Sequence, residues 1–263
     1  YNLSVSALDA KLTAASKEGT LPHILIPVHF SGQPCEMSEI ARLCNNFGVR
    51  IIEDASHAIG AEYLGNKVGS CTHSDITVFS FHPVKIFTTG EGGMLLTNNP
   101  DIYEKLTRLR SHGITRDQAS FSRPSDGPWY YEQAELGFNY RMTDLQAALG
   151  DSQVKRLPDF LARRRALANL YKTRLAGLPI ITPFQSPGTL SAWHLYVIQV
   201  DDTKTDVSRS DVYHQLRTKS IFTQVHYIPV HTQPYYRNLG FRSGDFPVSE
   251  NYYQKALSLP MYY

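Results

Sequence analysis

The chain has 263 residues, enough for one large domain or two modest ones. Hydrophobic residues make up 42% of it and charged residues 19%, which is ordinary for a globular protein. A formal net charge of +2 gives no basic excess of the kind that binds nucleic acid, and no apolar run reaches membrane-spanning length.

The first fifth of the chain predicts two helices that alternate with two strands. The predicted elements span residues 5–17, 24–30, 37–47 and 49–52. Pro27 has no N–H to donate, so it marks an irregular point in the first strand. Gly48 is the expected C-cap of the second helix. The order strand–helix–strand is typical of a parallel βαβ unit, in which ligands bind at the carboxyl ends of the strands.

The second predicted strand runs into the polar sequence E-D-A-S-H at residues 53–57. Asp54 is therefore expected at the ligand-binding edge of the sheet. An aspartate at a strand end can also cap a following helix. The residues alone leave both alternatives open.

Residues 76–93 read I-T-V-F-S-F-H-P-V-K-I-F-T-T-G-E-G-G and form the stretch around which the rest is organised. Residues 76–81 predict a buried strand, which Pro83 ends. Lys85 follows among apolar neighbours. Desolvation disfavours an ammonium ion, so a lysine in such a place suits imine chemistry. A surface lysine on a loop is the alternative.

The rest of the chain predicts further helices and strands, with a domain boundary near Gly150. Strands are predicted at residues 92–97, 195–200 and 221–227, and helices at 100–111, 142–174 with a break around Pro158, 207–219 and 248–257. The expected fold class is α/β. A large domain with a mostly parallel sheet would occupy residues 1–150, and a smaller α/β domain residues 151–263.

Three motifs give the chain a resemblance to a known family. They are E-D-A-S-H-A-I-G-A at 53–61, F-S-F-H-P-V-K-I-F-T-T-G-E-G-G at 79–93 and G-F-N-Y-R-M-T-D-L-Q-A-A-L-G at 137–150. With them the whole chain resembles the DegT/DnrJ/EryC1/StrS-type nucleotide-sugar aminotransferases, a branch of the fold-type I enzymes. The resemblance implies a transaminase that uses pyridoxal 5′-phosphate (PLP), an amino-acid donor and a nucleotide-sugar substrate.

The resemblance also implies which residues bind PLP. Lys85 would form the Schiff base and move protons, and Asp54 would pair with the pyridine nitrogen. His57 would contact the phenolic oxygen, Ser80 the phosphate, and Asn139 the phosphate of the neighbouring subunit. A core histidine, a strand hydroxyl and a turn asparagine are the ordinary structural explanations of the last three.

A segment of the second domain, Q-V-H-Y-I-P-V-H-T-Q-P-Y-Y-R at 224–237, suggests the substrate. It resembles the branch that aminates C4 of a UDP-linked 4-keto-6-deoxy-N-acetylhexosamine on the route to pseudaminic acid, with L-glutamate as donor. The predicted substrate contacts are Gln224, Val225, His226 and Tyr227. An edge strand with surface aromatics is the structural alternative, and perosamine-type or aminoarabinose-type substrates are the chemical ones.

Two other function classes stay open. PLP-dependent sugar dehydratases of the family typically have a histidine at the lysine position, so Lys85 argues against that activity. An inactive PLP-fold module that only dimerises is the second alternative. We expect a piece of a longer protein, because the family's N-terminal phosphate-binding segment is not found and both ends are abrupt. The large domain would then be partial and the small one clipped.

Partners and compartment follow from simpler features. The cysteines at 35, 44 and 71 lack C-x-x-C spacing, which favours reduced thiols in the cytoplasm over disulfides or a zinc site. The aromatic-rich region at 129–140 predicts an apolar surface that meets a partner. Together with the neighbouring-subunit role that the resemblance implies for Asn139, this surface leads us to expect a homodimer with composite active sites. We expect no nucleic acid, metal or membrane partner.

Overall fold

The computed structural model describes residues 1–262. Its α-helices are α1 (Val5–Glu18), α2 (Met37–Phe47), α3 (Pro100–Leu109), α4 (Asp144–Val154), α5 (Leu157–Arg174), α6 (Arg209–Thr218), α7 (Pro234–Asn238) and α8 (Pro247–Lys255). Its strands are β1 (Ile24–Leu25), β2 (Arg50–Asp54), β3 (Glu62–Tyr63), β4 (Asn66–Lys67), β5 (Ile76–Ser80), β6 (Gly93–Leu96), β7 (Ile114–Thr115), β8 (Glu132–Gln133), β9 (Ile180–Ile181), β10 (Thr189–Leu190), β11 (Tyr196–Val200) and β12 (Ala256–Leu259). No helix in this range is both long and apolar enough to cross a membrane.

A four-stranded sheet in the order β1-β2-β5-β6 forms the centre of the first half. β1, β2 and β5 are parallel, and β6 is antiparallel to β5. Helix α2 lies in the connection between β1 and β2, which confirms the predicted βαβ unit. The α/β class with a mostly parallel sheet is confirmed as well.

Helix α2 packs its apolar stripe against this sheet and against α1. Ile40, Leu43 and Cys44 are buried in one cluster with Ile51 of β2. Gly48 follows the last turn at φ +69°, a left-handed conformation that costs glycine little, and its N–H bonds to the Asn45 carbonyl. The predicted C-cap is thereby confirmed.

A buried polar network lies next to the end of β2. The Glu53 carboxylate is 2.7 Å from Nε2 of His29 and also accepts hydrogen bonds from the hydroxyls of Ser74 and Thr77. Burial alone would raise the pKa of Glu53, but these hydrogen bonds outweigh it and lower that pKa. Because the network is satisfied, it fixes the strand end from which Asp54 projects.

The second half contains a three-stranded antiparallel sheet in the order β12-β11-β9. All five residues of β11 are buried. Helix α5 joins the two halves: Phe160 and Leu161 lie in a core cluster of the first half, whereas Ala168 lies in that of the second. Gly150 lies inside α4, and the domain boundary near it stays a prediction.

Three predicted elements differ from those observed. The predicted strand at 24–30 is regular only over Ile24–Leu25, because Pro27 cannot donate to the neighbouring strand. Residues 221–227 make a single bridge, Gln224 with Ser258, instead of a strand. The predicted helix at 248–257 ends at Lys255, because the apolar residues after it pair with β11 as strand β12.

Candidate active site

Two of the predicted site residues, Asp54 and Ser80, lie at strand ends on the same edge of the sheet. Asp54 is the last residue of β2 and Ser80 the last of β5, and the register pairs Asp54 with Val78. The Oδ1 atom of Asp54 accepts the N–H of Ser56 at 3.0 Å in a local turn. No helix begins there, so the helix-capping alternative for Asp54 is wrong.

Lys85 lies in the loop between β5 and β6, and its backbone is held tightly. Ile86 and Phe87 on its C-terminal side are buried, and the ring of Phe87 stacks on Phe81 with centroids 4.9 Å apart. The Lys85 N–H donates to the His82 carbonyl at 2.9 Å. The lysine side chain itself is half-buried and makes no hydrogen bond to any residue in the range 1–262.

The electrostatics of the site place an amine with a lowered pKa near a carboxylate. Partial burial lowers the pKa of Lys85, and the nearby charge of Asp54 opposes that effect. Burial, with a smaller contribution from Lys85, lowers the pKa of His57 to about 4. The same two causes lower the pKa of His226. At neutral pH Lys85 therefore faces one carboxylate and two uncharged imidazoles.

The segment at 224–227 reaches the site from the second half. The Gln224 N–H and carbonyl bond to the backbone of Ser258 at 3.2 and 2.7 Å, and Nδ1 of His226 lies 2.7 Å from the Ser258 hydroxyl. The Tyr227 ring packs edge-on against His226 and is 54% exposed. Val225 instead packs against the core of the second half. Their roles toward a substrate stay predictions.

Ser80 and Asn139 differ in their relation to Lys85. The Ser80 hydroxyl is half-buried at the strand end and has no hydrogen-bond partner within the described chain. Asn139 is exposed and forms an isolated bridge with Ser111 at the end of α3. Within residues 1–262, Asn139 and Lys85 share no hydrogen bond. The cofactor roles of Ser80 and Asn139 stay predictions.

Sequence reasoning missed His194, which contacts this site from the turn before β11. Its ring lies against that of His57, with centroids 4.4 Å apart. The only signal in the sequence is a polar S-A-W-H segment at 191–194 before an apolar strand. That pattern alone does not separate a site residue from a core histidine.

The described residues fit PLP. Lys85 offers an amine with a lowered pKa and no competing hydrogen bond, Asp54 offers a strand-end carboxylate, and Ser80 offers an unengaged hydroxyl. PLP, when bound, supplies an electron sink for a carbanion. Within residues 1–262, no group of three or more His, Cys, Asp or Glu side chains could hold a metal ion.

Comparison with known proteins gives the family. A family model described as the DegT/DnrJ/EryC1/StrS aminotransferase family matches residues 1–263. SpsC of Bacillus subtilis (strain 168), a spore coat polysaccharide biosynthesis protein, is 42% identical over 265 residues, which cover 99% of this chain and 66% of SpsC.

Solved structures agree with this match. Helicobacter pylori PseC, described as an aminotransferase involved in the biosynthesis of pseudoaminic acid, aligns with TM-score 0.85 at 28% identity, covering 98% of this chain and 65% of PseC. A Streptococcus pneumoniae protein in its PLP form aligns with TM-score 0.83 at 26% identity, covering 100% of this chain and 67% of that protein.

The chain thus spans 66% of the length of the curated relatives that it matches. The match runs over all of its residues, and the mostly parallel sheet agrees with the fold of the family's solved members. The chain therefore belongs to the DegT/DnrJ/EryC1/StrS aminotransferase family of PLP-dependent, fold-type I enzymes.

Proposed function

We propose that this chain carries the catalytic centre of an aminotransferase that moves an amino group from an amino acid to a nucleotide-linked keto-sugar. The meeting of Lys85 and Asp54 at the edge of a parallel sheet carries the proposal. A lowered pKa increases the fraction of the amine that is uncharged and therefore nucleophilic. A carboxylate at the pyridine nitrogen keeps that nitrogen protonated, as PLP chemistry requires.

The residues have distinct tasks in this proposal. Lys85 would hold PLP covalently and would carry the proton to and from the substrate carbon. Asp54 pairs with the ring nitrogen, and the Ser80 hydroxyl donates to the phosphate. His226 and Tyr227 offer an imidazole and a phenol to the hydroxyl groups of the sugar. We propose a cytoplasmic location for the enzyme.

The finer proposal is amination at C4 of a UDP-linked 4-keto-6-deoxy-N-acetylhexosamine, with L-glutamate as donor. The motif at 224–237 and the likeness to PseC support it. The second candidate is a nucleotide keto-sugar of the perosamine or aminoarabinose type. The name of SpsC refers to a spore coat polysaccharide, which keeps a sugar outside the pseudaminic acid route open.

A panel of keto-sugars separates these candidates. We expect L-glutamate and the UDP-linked 4-keto-6-deoxy-N-acetylhexosamine to give 2-oxoglutarate and an aminated sugar, with a kcat/KM at least about tenfold above that for a GDP-linked 4-keto-6-deoxyhexose, because one unmatched polar group costs about 1.4 kcal/mol or more. Mass spectrometry of the nucleotide sugar is the measurement. Preference for the GDP-linked sugar would contradict the finer proposal, and loss of water without amination would contradict both.

The enzyme works as a two-fold symmetric homodimer with composite sites. Phe138 and Tyr140 flank Asn139, stack on each other with centroids 4.7 Å apart, and are 53% and 74% exposed. Leu136 and Leu145 nearby are 88% and 85% exposed. An apolar surface of this kind is typical of a subunit interface, and it would bring Asn139 to the partner's cofactor.

Subunit complementation tests the composite site. Lys85→Ala and Asn139→Trp proteins, each inactive alone, are mixed, and we expect activity to return. In the heterodimer one site collects both lesions and the other collects neither, so each heterodimer regains about one of its two sites. Two Lys85→Ala preparations mixed in the same way are the control. Heterodimers that demonstrably form but stay inactive would show that each site is built from one chain.

A further inference from the structure

Two histidines from opposite halves of the chain meet beside Lys85. His57 follows β2 and His194 precedes β11, and both side chains are more than nine-tenths buried. Their ring centroids are 4.4 Å apart and the ring planes are inclined by 40°. The family resemblance implies that His57 contacts the phenolic oxygen of PLP, but it gives His194 no part.

The backbone around this pair leaves the rings little room to move. Ala192 donates to the Gly32 carbonyl at 3.0 Å, and Leu195 donates to the Ser31 carbonyl at 3.3 Å. Gly32 has φ +96°. A Cβ atom there would lie 2.9 Å from the backbone carbonyl oxygen of His57 and 3.0 Å from the backbone nitrogen of His194. Only glycine allows the two loops to approach so closely.

Helix α5 fixes the His194 loop from its other side. Nη1 of Arg164 donates to the Trp193 carbonyl at 3.1 Å and to the His194 carbonyl at 3.2 Å. Trp193 itself has φ +50°. The His194 ring is therefore held against His57 by its own backbone, and not by chance packing of a flexible side chain.

The hydrogen bond to His57 determines its tautomer. The Ser31 N–H donates to Nδ1 of His57 at 3.3 Å. A nitrogen that accepts a hydrogen bond carries no proton, so a neutral His57 has its proton on Nε2. A doubly protonated ring could not make this bond at all. The contact thus requires His57 to stay neutral.

Several charged or titratable groups face the pair. His57 faces Lys85, Asp54, His226 and His194, and burial followed by Lys85 lowers its pKa to about 4, with Asp54 opposing. His194 faces His57, Arg164, Lys85 and His226.

Burial is the main reason that the pKa of His194 is lowered to about 2, and His57 adds to it. Nδ1 of His194 is buried with no hydrogen-bond partner among residues 1–262. A cationic His194 would therefore bury an N–H donor without a partner, which costs free energy. The His194 ring thus stays uncharged where it packs against His57.

We propose that His194 is a positioning residue, whose ring holds His57 against the Ser31 amide as the neutral Nε2–H tautomer. His57 then presents a fixed hydrogen-bond donor, Nε2–H. The inference rests on the proposed function in one respect, namely that the acceptor is the phenolic oxygen of PLP. The ring stays uncharged, and its single proton stays on Nε2, as long as His194 keeps water away from His57.

Histidine-selective ¹⁵N NMR of the cofactor-free chain tests this directly, with the His57 signals assigned from a His57→Gln spectrum. In the wild type we expect the proton of neutral His57 to lie on Nε2 and not on Nδ1. We expect the His57 ring to titrate with a midpoint near pH 4. In His194→Phe, which keeps a flat ring, both should persist. In His194→Ala, water reaches the ring, the tautomers mix, and the midpoint rises by about one pH unit or more toward the ordinary value near 6.5.

Three results would overturn the inference. They are a wild-type His57 protonated on Nδ1, a wild-type midpoint near 6.5, or a folded His194→Ala protein with unchanged tautomer and midpoint. Where His194→Ala does not fold, His194→Asn, which has no ring, replaces it with the same expected change. Because NMR needs no turnover, a chain with this tautomer but no transaminase activity would refute the proposed function and leave the positioning role intact.

Discussion

Lys85→Ala is expected to abolish amino transfer while the fold persists. The change removes both the covalent anchor of PLP and the group that carries the proton, and a positioned proton carrier alone contributes about 10²–10⁴ in rate. We expect kcat to fall by about four orders of magnitude or more. The Lys85 side chain makes no hydrogen bond within residues 1–262, so unfolding free energy should change by only about 0.5 kcal/mol.

Borohydride reduction followed by mass spectrometry locates the Schiff base. The pyridoxyl adduct should lie on Lys85 in the wild type and be absent from Lys85→Ala. Lys67→Ala is the matched control, because Lys67 is an exposed lysine of β4 that is paired with Glu62 at 2.5 Å and is not one of the proposed site residues. An adduct on Lys67 or Lys105 would show that Lys85 is not the anchor.

Asp54→Asn is expected to lower kcat by roughly two to four orders of magnitude, which is about 3–5 kcal/mol. The amide is nearly isosteric with the carboxylate, and its oxygen can still accept the Ser56 N–H, so the strand end keeps its shape. What is lost is the negative charge that keeps the pyridine nitrogen protonated. Loss of rate without loss of fold therefore isolates the charge.

Steady-state kinetics with saturating donor and acceptor measures this change. Asp101→Asn, at the start of α3, serves as a control that removes an exposed carboxylate outside the site. A kcat for Asp54→Asn within about threefold of wild type would show that this carboxylate does not face the cofactor. An equal fall in Asp101→Asn would trace the loss to net charge.

The strand-end residues could be predicted because parallel strands fix where their carboxyl ends lie. The sequence shows a β-branched run that stops at Pro83 and an apolar strand that leads into Asp54. Two parallel strands with these ends place Lys85 and the Asp54 carboxylate at the same edge of the sheet. No periodicity was needed beyond the strands themselves. The family motifs then placed the remaining candidate residues on the same framework.

The elements that sequence reasoning missed depend on contacts far apart in the chain. Backbone hydrogen bonds between two loops bring His194 to His57. The pattern of residues in a single sequence does not predict which loops pair in this way. Strand β12 is an apolar stretch directly after a helix, so its periodicity fits either structure. Its pairing with β11 decides the outcome, as tertiary context often does.

The span of helix α5 across both core clusters has a consequence for cooperativity. Phe160 and Leu161 anchor one end of the helix in the first half and Ala168 anchors its centre in the second. Unfolding either half would strip that helix of one of its supports and expose apolar surface in the other half. We therefore expect the two halves to be thermodynamically linked and to melt as a single unit, with one calorimetric transition and slowly exchanging amides in α5.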